Sequence, residues 1–287
     1  NDGVSTMLRW NEESSQVQAA ALMRPAVSAS AKVEAICQTI MSDVKEQGDK
    51  ALLDMAKKFD NRANPRLRVP LDDINASEQA LSAELKYAID TAYANVKRFH
   101  EAQLPKDIKL STQPGVECEL KYQAIEAVGI YVPANLPSTL LMNAVPAKIS
   151  GVKRIVLANP KLNGKLNPAV LYAAKKVGIN EIYSMGSAQA IASLAYIQKV
   201  NKIVGPGNIY VARSKREVFG DVGTEGMVAG PSEICVLADG KTDLNQVITS
   251  MIGQAEHDVN SQCILITKDK KLANKFNTEL KESIKKV

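Results

Sequence analysis

The sequence predicts an α/β protein, with two parallel-sheet domains behind an N-terminal arm. Three observations lead there. The 287 residues are enough for two cores. From about Ile108 onward, short apolar runs alternate with segments of helical period, the order that builds a parallel sheet with helices on its faces. The stretch before Ile108 carries helical periods with no strands between them, so its helices must find a sheet elsewhere in the chain.

Residues 1–24 form a polar, poorly periodic arm holding the single tryptophan, Trp10. After Arg24-Pro25 a helix is expected over Ala31–Gln47, with Val33, Ile36, Cys37, Ile40, Met41 and Val44 on its apolar face and Gly48 ending it. A second helix covers Lys50–Phe59. Asn61–Pro70 reads as loop and short strand. A long helical stretch follows over Ser77–Gln103, opened by an Asn75-x-x-Glu78 box and closed at Leu104-Pro105.

Beyond it, strands are expected at Glu117–Gln123, Ala127–Val132, Arg154–Ala158, Glu181–Tyr183 and Asn201–Val204. Helices are expected at Ser138–Ser150, Asn167–Val177, Ala188–Ala195 and Ile209–Phe219. The C-terminal part repeats the pattern with strand Glu233–Ala238, helix Asp243–Glu256, strand Cys263–Thr267 and helix Lys271–Lys286. The implied division is an arm (1–24), a discontinuous α/β domain (25–109 with 230–287) and a second α/β domain (110–229). A two-stranded sheet is rarely a finished domain, so the end of the chain is expected to be premature.

Composition narrows the function classes. With 45% hydrophobic and 23% charged residues, this is ordinary globular protein. The net charge of +5 is mild, and the basic residues are spread along helices, which argues against nucleic acid. No apolar run reaches the ~18 residues of a membrane span, and no charged-then-apolar leader opens the chain. The four cysteines are far apart. Cys37, Cys235 and Cys263 fall inside apolar patterns, which suggests reduced core thiols in a cytoplasmic protein; the fourth is Cys118.

Four turns are glycine-bearing or otherwise distinctive: Gly129-Ile-Tyr-Val-Pro133, Met185-Gly-Ser-Ala-Gln189, Val204-Gly-Pro-Gly-Asn208 and Ala229-Gly-Pro-Ser-Glu233. If they are strand-to-helix turns, they line the edge where open parallel sheets take ligands. Gly205-Pro-Gly-Asn208 before a helix suits an anion; it equally suits a tight turn. No Gly-x-Gly-x-x-Gly occurs, so the usual dinucleotide fingerprint is absent. In the helix expected over Asp243–Glu256, the residues Leu244, Val247, Ile248, Met251, Ile252 and Ala255 make one apolar face. Gln254 falls on its border, with His257 three residues on. Two such side chains suit either half of a metal shell or a solvated helix flank. His100, near the end of a long helix, reads as a surface or capping residue.

Taken in order, these segments resemble the histidinol dehydrogenase family. The matching stretches are Met23-Arg-Pro-Ala26, Gly48-Asp-Lys-Ala-Leu52, Gln113-Pro-Gly-Val116, Gly129–Pro133, Leu141-Met-Asn-Ala-Val-Pro-Ala147, Ser187-Ala-Gln-Ala-Ile-Ala192, Lys202–Asn208, Ala229–Glu233 and Gln254-Ala-Glu-His257. The resemblance implies two incomplete Rossmann-like domains in a homodimer. It implies oxidation of L-histidinol to L-histidine through an aldehyde, with NAD accepting hydride twice and one zinc per subunit, as the last steps of histidine biosynthesis. It assigns NAD contacts to Tyr131, Gln189 and Asn208, substrate contacts to Ser232, Gln254 and His257, and zinc ligation to Gln254 and His257.

The chain also departs from the family pattern. That pattern continues for roughly another half of this length, with a Gly-Pro-Glu-His segment supplying the catalytic pair and later residues completing the zinc shell. With only His100 and His257 present, no catalytic residue is expected in this chain. The loops at Ala134–Leu136 and between Tyr196 and Gln198 are short, Ser187 stands where the family has glycine, and Asp258-Val259 replaces Gly-Pro. The alternative reading is a catalytically inactive ligand-binding relative, or a fragment without the acid–base segment.

Overall fold

The computed structural model describes residues 8–23, 31–59, 65–225, 232–256 and 261–285. The chain divides into two compact units, Ala29–Val228 and a discontinuous unit of Asn1–Ser28 with Ala229–Val287. A short helix, α1 (Ser15–Ala21), lies in the arm, capped by the Ser14 hydroxyl, which accepts the Val17 N–H.

In the larger unit the helices come first: α2 (Ala31–Gln47), α3 (Asp49–Phe59), α4 (Leu71–Ala76) and α5 (Ala83–Glu101). Gly48 separates α2 from α3 with φ +59, a left-handed turn that favours glycine. The expected opening box at Asn75 does not start α5. The Ser82 hydroxyl does, accepting the Leu85 N–H at 3.2 Å, while Glu78 is drawn to Lys175 at 2.8 Å. A hairpin follows, β1 (Ile108–Gln113) and β2 (Val116–Leu120), exposed along its whole length.

Then the alternation begins: β3 (Ala127–Tyr131), α6 (Pro137–Ile149), β4 (Arg154–Ala158), α7 (Pro168–Val177), β5 (Glu181–Tyr183), α8 (Ser187–Ala192), β6 (Lys202–Val204), α9 (Ile209–Glu217) and β7 (Gly223–Thr224). The five strands make one parallel sheet in the order β5-β4-β3-β6-β7. Both faces are covered, so β3 is buried at every residue. Val128, Ile130, Ile155 and Leu157 turn toward α6 and α7; Ala127, Tyr131, Val156 and Ala158 turn the other way, toward α8 and α9. The order reverses between β3 and β6, which makes their carboxyl ends the switch point of the sheet.

The helices before Ile108 belong to this sheet, not to the C-terminal one expected for them. Cys37, Val44 and Leu52 of α2 and α3 share a core with Ala190 and Val211, and Ile74 and Ile89 of α4 and α5 share the opposite core with Leu140 and Val170. The apolar outer sides of α6–α9 provide the burial, a third layer that no local pattern announces. The short strand expected in Asn61–Pro70 survives as a bridge between Arg68 and Tyr183 on the outer edge of β5.

The smaller unit holds β8 (Glu233–Leu237), α10 (Leu244–Ala255), β9 (Gln262–Ile266) and α11 (Lys270–Ile284). Its strands pair in parallel, and α10 and α11 bury Leu244, Val247, Ile248, Met251, Leu272 and Phe276 against one face. Ala255, expected on that face, is exposed because α10 ends there. Its N-terminal partner is residues 1–28, where the Gln262 Nε2 donates to the Ala21 carbonyl at 2.9 Å. On the other face Leu237 is 75% and Ile266 50% exposed among the described residues. Cys235 turns outward with Leu237, so it is exposed, against expectation; Cys263 is half-buried and Cys37 fully buried, and all four cysteines are free. No helix among the described residues is long and apolar enough to cross a membrane.

Candidate functional site

At the switch point, three turns meet around Tyr131, the last residue of β3. Its side chain lies in the core between sheet and helices, and its hydroxyl accepts the Ser187 N–H at 3.3 Å. Burial pushes the hydroxyl pKa up, so the proton stays on the oxygen and is left to donate. Ser187 opens α8 with φ 56, a left-handed conformation that an L side chain adopts at a cost and glycine adopts freely. Gln189, two residues on, is buried in the same turn of α8.

From the other side comes Gly205, directly after β6, with φ +109. A side chain there would collide with the Tyr131 carbonyl, so only glycine lets this turn lie against β3. Gly207 is equally constrained, because a Cβ would run into the Val211 side chain. Both glycines are thus needed for packing within the chain itself. Asn208 caps α9: its Oδ1 accepts the N–H groups of Tyr210 and Val211, each at 3.1 Å. The tight-turn reading of this motif accounts for its glycines and for one end of the asparagine amide.

Two groups at this edge escape sequence reasoning. Asn159, just past β4, is fully buried; its Nδ2 donates to the carbonyls of Val132 (3.0 Å) and Pro133 (3.1 Å), and its Oδ1 has no partner. Lys215 is buried on α9, and its Nζ donates to the Gly205 carbonyl and pairs with Glu225. A signal for Lys215 existed: Val211, Ser214, Lys215 and Val218 fall at i, i+3, i+4 and i+7, which puts a lysine on the inward stripe of a helix. Alongside, α6 starts at Pro137 with no side-chain cap from Leu136, so no side chain satisfies its first free N–H groups.

In the smaller unit, Ser232 sits at the amino end of β8, its carbonyl accepting the Gln262 N–H at 3.2 Å. Ser232 thus leads into a strand at Glu233, where the sequence expected one, and not into a helix as a strand-to-helix turn would; Ala229–Pro231 lie outside the described residues. Gln254 lies in the last turn of α10, half-buried, and its Nε2 has no partner among the described residues; the buried Ser261 Oγ near the start of β9 has none among them either. His257 lies outside the described residues. No three His, Cys, Asp or Glu side chains gather among the described residues. A zinc ion would take the Gln254 amide through its oxygen, Oε1, and not through the unpartnered Nε2; the described residues do not make up a zinc shell. His100 stands at the end of α5 with its ring edge-on to Phe99.

The order and spacing of these segments can be set beside known proteins. The family model described as histidinol dehydrogenase matches residues 23–287. The chain belongs to the histidinol dehydrogenase family. It is 62% identical to the histidinol dehydrogenase of Pseudoalteromonas translucida (strain TAC 125) over 98% of this chain and 67% of that protein. It is 49% identical to the histidinol dehydrogenase of Pelagibacter ubique (strain HTCC1062) over 86% of this chain and 59% of that one. The crystal structure of histidinol dehydrogenase from Elizabethkingia anophelis superposes with a TM-score of 0.87 at 35% identity, covering 96% of this chain and 65% of that chain. Measured against these three histidinol dehydrogenases, the chain spans between 59% and 67% of their length.

Proposed function

We propose that this chain serves the NAD-dependent oxidation of L-histidinol to L-histidine, the end of histidine biosynthesis, in a homodimer. The observation that carries the reading is the 62% identity to a histidinol dehydrogenase along 98% of the chain. The larger unit takes NAD at the switch point between β3 and β6. Tyr131 offers its hydroxyl proton there, Gln189 its amide in the first turn of α8, and Asn208 the Nδ2 left over from capping α9. The uncapped start of α6 and the unpartnered Asn159 Oδ1 fit a polar ligand at the same edge. NAD, when bound, accepts the hydride.

In the smaller unit Ser232, Gln254 and His257 would hold the amino alcohol, and the last two would also ligate zinc, which when bound would polarise the alcohol oxygen. Titrating NAD and then L-histidinol calorimetrically into the purified chain tests the reading. Weak, saturable heat from NAD is expected. Absence of any NAD heat at millimolar cofactor would remove the assignment of the cofactor site to this edge.

A further inference from the structure

We infer that Lys215 is a positioning residue for the cofactor edge, a deepening that rests on the reading of the switch point as the NAD site. The lysine sits two turns into α9, yet its ammonium reaches back ten residues to the carbonyl of Gly205. That carbonyl belongs to the residue packed so closely on the Tyr131 backbone that no side chain is tolerated. Asn208, three residues further, closes the other end of the same turn by capping the helix that carries Lys215. The turn is therefore held at three points: Tyr131 behind it, the Asn208 cap at its exit and the ammonium on its first carbonyl.

A buried ammonium needs a counter-charge, and Glu225, directly after β7, supplies it. Among the described residues the ammonium meets two partners, the Glu225 carboxylate and the Gly205 carbonyl. The neighbours Val211 and Val218 on the stripe are apolar and fully buried, so a leucine or methionine would fill the space. A lysine there costs desolvation, and the carbonyl it holds lies at the end of a strand whose neighbour, Tyr131, presents the cofactor-facing hydroxyl. By fixing the Gly205 peptide, Lys215 sets where the Asn208 amide and the Tyr131 hydroxyl stand relative to one another, and so how well both meet one ligand.

The test compares wild type, Lys215→Met and Lys215→Arg in the full chain, by NAD titration well below the melting temperatures and by thermal melts. Lys215→Met is expected to weaken NAD at least tenfold, and Lys215→Arg, which keeps a charged donor on a long stem, to recover at least threefold of that loss. Lys215→Met that binds NAD as wild type does, whatever its melting temperature, overturns the proposal and leaves the NAD reading standing. Wild type that takes up no NAD overturns both. If Lys215→Met does not fold, Lys215→Gln replaces it, with a donor on a stem one atom shorter. A threefold or greater weakening then supports the proposal, and unchanged affinity overturns it.

Discussion

The side-chain oxygen of Asn208 closes the first turn of α9, which leaves its Nδ2 for anything bound at the sheet edge. The two ends of the amide can be separated by substitution. Asn208→Asp keeps the capping oxygen and removes the donor; Asn208→Ala removes both. We expect thermal melts of Asn208→Asp to match wild type, Asn208→Ala to lose about 1 kcal/mol of stability, and both to bind NAD more weakly in calorimetric titration. Unchanged NAD affinity in both variants would leave the residue as a cap alone. Ser187 shows what a motif match conveys at this scale. The resemblance implies glycine there, and a reason for it is visible only as a backbone angle, φ 56, where the serine carries a Cβ in left-handed space. Residue types at motif spacing were readable in the sequence; Lys215, whose partner lies ten residues away across a turn, was readable only as a charge on the wrong face of a helix.

Elements with strong local periodicity emerged where expected. The helix expected over Ala31–Gln47 is α2 to the residue, and the stripe of α10 is buried at Leu244, Val247, Ile248 and Met251. Elements decided by distant partners did not. The first strand of the exposed hairpin, the helix α4 and the true start of α5 were missed, and the helix expected to reach Ala195 changes after Ala192 into a π-helical turn over Ser193–Ile197, at one of the two shortened loops. Pairing between β4 and β5 illustrates such long-range control. The Arg154 guanidinium grips both Glu181 carboxylate oxygens (2.9 and 2.6 Å) and also reaches the Gln198 carbonyl at 2.7 Å. The hydrogen bond from Arg154 holds the Glu181 carboxyl below its usual range. A lowered carboxylate pKa adds stability above the ordinary glutamate range, and that stability is lost as pH falls through the folded value. Glu181→Gln is expected to cost about 1–3 kcal/mol at neutral pH, and the gap between its melting temperature and that of wild type should narrow between about pH 5 and pH 3. A gap constant over that range would contradict the assignment.

At the scale of the whole molecule, chemistry and binding separate. The two histidines of the sequence are His100, at the end of α5, and His257, proposed above for metal and substrate. No imidazole is left to act as a general base. The 287-residue chain by itself is therefore expected to bind NAD without forming NADH from L-histidinol, followed by the ultraviolet absorbance of the reduced cofactor. Sustained NADH formation would show that another group takes the proton. The two-domain α/β class was legible from the alternation of strands and helices. Which helices went with which sheet was not, because the outer sides of α6–α9 that bury α2–α5 carry no mark in any single segment.

The hydrogen bond from Gln262 to Ala21 spans 241 positions of the sequence, and the whole larger unit lies between its two ends. During synthesis, α1 leaves the ribosome before the larger unit and waits, since neither β8 nor β9 yet exists. The larger unit, Ala29–Val228, has all its strands in hand before β8 is made. It can fold while the arm is still unpaired, and only after residue 262 emerges can the first and last parts of the chain close on each other. Loop closure over so long a span costs little more than over half of it, about 0.6 kcal/mol per doubling, so delay and exposure of the arm, rather than entropy, set the hazard of this arrangement.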